Sequence, residues 1–186
     1  MTNSKIESDI GYVKDLVTKS GESTQPASFY YLWGIILMVG FSLIDLAPRW
    51  VGLFWMIAGP AGGMLSAFLG YKSGIRKGQI NREVGIKYAL HWSGMAVIVF
   101  LAILLGLKGL VHGVVNSQVI LLIVALGWWT AGVHFDRIFL WLGGIMVLGF
   151  LGTLFMDRYV WTTMGVLLGL VLIVTAIRQG KKNVRR

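Results

Sequence analysis

A chain of 186 residues that is 56% hydrophobic and 13% charged, with a mean hydropathy of +0.73, has too little polar surface to enclose a soluble core. Its length leaves room for one compact helical bundle and for no sizeable domain outside a membrane. With no cysteine it has no disulfide, thiolate metal site or cysteine nucleophile, and its net charge of +9 has to be explained by where the basic residues fall.

Residues 1–27 are polar and carry Glu7, Asp9, Asp15 and Glu22, half of the eight acidic residues. Ser4, Lys5, Ile6 and Glu7 fit a capping box, and Ile6, Ile10, Val13 and Val17 share one helical face, so a short amphipathic helix is expected to end near Gly21. Such a helix lies on the membrane surface or against the bundle. This segment lacks the basic start, apolar core and small-residue cleavage site of a signal peptide, so the first span is expected to act as an uncleaved insertion signal.

Six apolar runs follow, at about Ser28 to Leu46, Val51 to Tyr71, Tyr88 to Leu107, Val115 to Val133, Ile138 to Met156 and Tyr159 to Ile177. Each is long enough to cross roughly 30 Å of hydrocarbon at ~1.5 Å per residue. The expected fold is all-α: a polytopic membrane protein of six transmembrane helices in three antiparallel hairpins, over residues 28–178, with a basic tail at 179–186. Of the 17 basic residues, 14 then fall on the side of the termini and only Arg49, Lys108 and Arg158 on the other. Basic segments stay in the cytoplasm during insertion, which predicts an inner-membrane protein with both termini cytoplasmic. Anionic lipid headgroups account for the high charge, and no nucleic-acid partner is implied.

The first span opens on Phe29, Tyr30, Tyr31 and Trp33, an aromatic belt by composition, as Trp128 and Trp129 are at the end of the fourth. Asp45 closes the first span four residues before Arg49, where an ion pair is expected to satisfy it. The second span carries Gly59, Pro60, Ala61, Gly62 and Gly63 at its middle. Pro60 has no N–H and crowds the carbonyl four residues before it, so a break is expected there. Gly59, Gly63 and Ala67 recur every fourth residue, as do Gly165 and Gly169 in the last span. Small residues let helix backbones approach, which puts the second span at the centre of the bundle or at a contact with another subunit.

The run from Trp33 to Phe41 resembles that from Trp141 to Phe150, and the cytoplasmic ends of the second and sixth spans are also alike, which points to repeated hairpins. A broken helix between repeats is the sequence's best pointer to a transport pathway. The candidate lining is Gly59, Pro60, Gly62 and Gly63, with Ser42 and Asp45 facing it. A scaffold or regulatory partner with a dry core is the alternative, and a homo-oligomer or a protein partner fits either. His91 and His134, both at the cytoplasmic boundary, are weak candidates for haem or metal ligation in a redox protein. Asn116 and Gln118, near the outer surface, are expected to meet water or a helix end. No catalytic carboxylate pair, nucleophile triad or phosphate loop is present, so no enzyme activity and no cofactor are expected.

Overall fold

The computed structural model describes Gly11 and residues 25–76, 82–156 and 158–184. The predicted amphipathic helix falls outside these residues apart from Gly11. Every described element is helical: α1 Ala27–Leu46, a 3-10 turn at Pro48–Trp50, α2 Val51–Arg76, α3 Arg82–Leu107, α4 Gly113–His134, α5 Ile138–Phe155 and α6 Val160–Val184. All six helices are long and apolar enough to cross a membrane, which makes this a multi-pass membrane protein by length and composition. The helix ends follow local chemistry. Pro26 and Pro48 stand at helix starts, where a missing N–H costs nothing. Gly109, with φ of 68°, ends α3: its N–H donates to the Gly106 carbonyl and that of Leu110 to the Leu105 carbonyl. At the C-terminus α6 continues through residues 179–184, which the sequence reading sets aside as a tail.

The core is built by α1, α4, α5 and α6. Tyr30, Phe139, Leu142, Met146, Leu168 and Leu172 have no exposed surface. The most extensive contacts join α1 to α6 and α5 to α4, with smaller ones between α1 and α2, α3 and α4, and α5 and α6. Small residues decide which backbones meet. A Cβ added to Gly34 of α1 would lie 3.2 Å from the Gly169 carbonyl oxygen of α6, and one added to Gly143 of α5 would lie 3.0 Å from the Ala125 carbonyl oxygen of α4. At such distances only glycine fits without moving a helix.

The resemblance between the first and third hairpins is present in these contacts. Gly34 and Gly143 stand 109 positions apart, as do Gly40 and Gly149, which face Trp55 of α2 and Met164 of α6 respectively. Trp55 and Met164 are themselves 109 positions apart, and so are the buried pairs Tyr30 and Phe139, and Leu37 and Met146.

Two expectations about the second span are corrected. It runs as one helix through Pro60, and among the described residues its backbone approaches α1 and no other long helix, so of the two places expected for it the centre of the bundle is excluded. Gly59 and Gly63 have nothing within reach of an added Cβ, and Ala67 is exposed. The helix is apolar on every side, so its sequence carries no periodic signal to say which small-residue face is inside. Among the described residues the backbone of the third helix approaches only that of α4, while its Trp92 also reaches the ring of Phe139 in α5. Among the described residues no Cα of α2 comes within 8 Å of one in α3.

Candidate functional site

Polar and aromatic side chains converge where α1, α2, α3, α4 and α5 come nearest. Trp33 of α1 donates its indole N–H to Ser66 Oγ of α2 at 2.8 Å, and Ser66 donates to the Gly62 carbonyl at 2.7 Å. This satisfies the indole and ties α2 to α1. A Cβ on Gly62 would touch Ile36 and Trp33, so this glycine, alone of the predicted pathway set, packs against α1. Trp128 of α4 is the hub of the cluster. Its ring meets Trp33 edge-on at 6.4 Å, Trp92 of α3 at 5.2 Å and Phe139 of α5 at 5.2 Å, geometries that the ring quadrupoles favour.

Trp33, Trp128 and Trp92 thus form a row of rings that reaches α2 through Ser66 and ends on α3.

Two carboxylates anchor α1 at its opposite ends. Asp45 accepts the Thr162 N–H at 2.7 Å, capping the start of α6 from a different helix. Tyr159, just before that start, has φ of 57°, a left-handed conformation costly for a tyrosine. At the other end Tyr30 donates its hydroxyl to Asp136 Oδ2 at 2.6 Å, while Asp136 Oδ1 accepts the Ile138 N–H at 3.2 Å at the start of α5. Negative charge at a helix N-terminus also complements the positive end of its dipole. The expected Asp45–Arg49 ion pair is thus replaced by a backbone partner, and the Arg49 guanidinium lies over the Trp50 ring at 5.5 Å. Asp45→Ala is expected to cost ~0.5–2 kcal/mol, the range for a lost helix cap. Asp45→Asn should retain most of that stability in a thermal melt, because its amide oxygen can still accept the Thr162 N–H.

The remaining candidates are dispersed. Pro60 is exposed, Gly59 and Gly63 face open space, and Ser42 is half-buried on α1. Asp45 is bonded to the start of α6. An apolar groove of about 340 Å³ does flank α1 and α2, lined by Leu43, Trp50, Leu53, Phe54, Ile57 and Ala58. His91 donates from Nε2 to the Gly127 carbonyl at 2.9 Å, which fixes its tautomer and occupies that nitrogen. His134 is exposed at the end of α4, and both imidazoles lie against the ring of Phe135. Among the described residues no group of three or more His, Cys, Asp or Glu could hold a metal ion. Gln118 donates to Thr153 Oγ1 at 3.0 Å, bridging α4 and α5 rather than meeting water, and Asn116 lies against Gly106 of α3.

No known protein family, curated protein or solved structure matches the chain. The functional argument therefore rests on what this arrangement can do. Among the described residues its buried core holds no charged or polar member, and the backbones of α2 and α3 do not meet.

Sequence reasoning missed the hub. Trp128 and Tyr30 read as belt residues, yet both are buried, while their neighbours Trp129 and Tyr31 are exposed. Each buried ring stands next to an identical exposed one, Tyr30 beside Tyr31 and Trp128 beside Trp129, so residue type alone does not say which of the two faces inward.

Proposed function

We propose that this is a protein of the cell inner membrane with both termini in the cytoplasm, serving as a non-transporting scaffold or regulatory partner. Three hairpins form its bundle, and α2 and α3 are presented to another membrane component. The observation that carries the reading is the α2–α3 edge: two helices of 26 residues each which, among the described residues, bring their backbones close to one neighbour apiece, α1 for the first and α4 for the second. In lipid, helices associate through close packing of small residues, so the exposed positions Gly59, Gly63 and Ala67 suit a helix contact. The orientation rests on basic residues. Lys72, Arg82, Lys87, Arg137, Arg178 and Lys181 are exposed on the side assigned to the cytoplasm, where anionic headgroups attract them.

Co-purification in lipid nanodiscs, read by native mass spectrometry, tests the proposal. A bound component is expected that Gly59→Leu with Gly63→Leu removes while the melting temperature of the protein is unchanged. In sealed vesicles the purified protein is expected to pass ions and small solutes no faster than empty vesicles do. Flux that depends on α2 would instead support a transport module. Reporter fusions after residues 80 and 186 should read as cytoplasmic, and one near residue 110 as external; an external C-terminus would overturn the orientation.

A further inference from the structure

Three hairpins set in a ring have three seams where one hairpin meets the next. Two of them are closed in the same way. At the α6–α1 seam Gly34 meets the carbonyl of Gly169 and the side chain of Ile173, and at the α4–α5 seam Gly143 meets the carbonyl of Ala125 and the backbone of Trp129. In each case an odd-numbered helix sets a glycine on one carbonyl and on the residue one turn later. The third seam, between α2 and α3, is open.

The 109-position correspondence between the first and last hairpins says what α2 carries at the positions that α6 buries. Leu168, Leu172 and Ala176 of α6 have no exposed surface, and their counterparts in α2 are Gly59, Gly63 and Ala67. The inward face of α2 is thus stripped of bulk. A helix so stripped fills space only if another backbone comes close. The helix standing in the place that α1 takes beside α6 is α3, and only residues 77–81 separate α2 from it in the chain. A wedge of three rings, Trp33, Trp128 and Trp92, runs from one to the other, with Trp33 bonded to Ser66 of α2 and Trp92 of α3 against Trp128.

We infer that the molecule has a second, closed state in which α2 packs on its own α3, sealing the third seam as the other two are sealed. The switch is the wedge: turning the Trp33 indole away from Ser66 frees α2 to move, and the gain is close packing that neither helix has in the open state. A bistable packing of this kind is the usual basis of a conformational switch. If α2 and α3 are also the docking edge proposed above, closure hides that edge and regulates it. This regulatory consequence rests on the scaffold reading, whereas the closure itself does not.

The natural absence of cysteine makes the test direct. Ser66 and Trp92 are each one contact from the Trp33–Trp128 pair, and closure of antiparallel helices about that level would bring together Gly63 and Ala96, each about a turn further on. Both are exposed, so Gly63→Cys with Ala96→Cys is compatible with the open fold. A disulfide needs Cα atoms at about 4.4–6.8 Å, closer than the open state brings any part of the two helices. Mild oxidation of the purified double variant in nanodiscs holding one copy is expected to link the helices within one chain, seen as a single cross-linked peptide pair. Adding Gly59→Leu, tolerated where there is open space, should lower the cross-linked fraction about tenfold by overpacking the closed contact. Spin labels at the same two positions should report two distance populations. A single long distance without a disulfide, or a disulfide formed only between two copies, would overturn the closed state. Failure of partner co-purification with closure intact would remove only the docking reading.

Discussion

Gly143→Leu is expected to prevent the folded protein from accumulating, and Gly34→Leu to do nearly the same. At Gly143 the atoms in the way are all backbone, the Trp129 nitrogen and the Ala125 carbonyl oxygen, and at Gly34 the Gly169 carbonyl oxygen stands beside the Ile173 side chain; no rotamer change can clear the backbone atoms. The helices must separate, and separation breaks the two most extensive interfaces in the molecule. One extra methylene in a packed core costs roughly 1–3 kcal/mol, so an isobutyl group forced between two backbones exceeds what a typical domain stability of about 5–15 kcal/mol tolerates comfortably. The comparison that gives the result its meaning is Gly63→Leu, where nothing lies within reach, and its melting curve should match that of the parent. Fluorescence-detected size exclusion after heating distinguishes the three. Equal loss at Gly63 and Gly143 would show that small residues alone, without regard to their neighbours, set stability.

Trp128→Ala is the second large effect. Removing this side chain leaves a cavity touching rings from α1, α3 and α5, and large aromatic-to-alanine changes in cores cost about 3–5 kcal/mol. The edge-on pairs with Trp33, Trp92 and Phe139 add to that loss, at roughly 0.5–1.5 kcal/mol for each such geometry. Its sequence neighbour Trp129 is 47% exposed, and Trp129→Ala is expected to leave the thermal midpoint nearly unchanged. Trp128→Phe should fall between the two. The wedge also runs from α2 to α3, so Trp128→Ala should raise the yield of the Gly63–Ala96 disulfide in whatever fraction remains folded.

These two predictions turn on contacts that the sequence carries very unevenly. The six spans are legible because a length of uncharged residues is a one-dimensional property. Val51, Ile138 and Leu107 stand at helix ends in both the sequence reading and the structure. The inner faces are not legible, because lipid is as apolar as the core and Leu or Ile serves either side equally. Gly165 and Gly169 are spaced as Gly59 and Gly63 are, yet the first pair meets the α1 backbone and the second meets nothing. Spacing says that a helix can be approached closely; it does not say by what. The partner of Asp45 was beyond reach for a different reason. Arg49 is four residues away and Thr162 is 117, and no local rule favours the distant one. The candidate pathway set has Asp45 facing it, and in the fold that carboxylate accepts the Thr162 N–H at the start of α6.

The same carboxylate has a consequence for biosynthesis. A ribosome delivers α1 to the bilayer first and α6 last, so the helix that makes the most extensive contacts with α1 emerges only after every other span has been inserted. Until then Asp45 has no N–H to accept and Gly34 no carbonyl to lie against. The nascent chain must wait in the membrane with its first helix unclaimed, and a transcript truncated before Val160 would strand that helix for good. Arrival of α6 thus doubles as a check that synthesis has passed it: only a product that contains α6 can satisfy Asp45, and one stopped before it offers membrane proteases an unsatisfied acidic group to recognise.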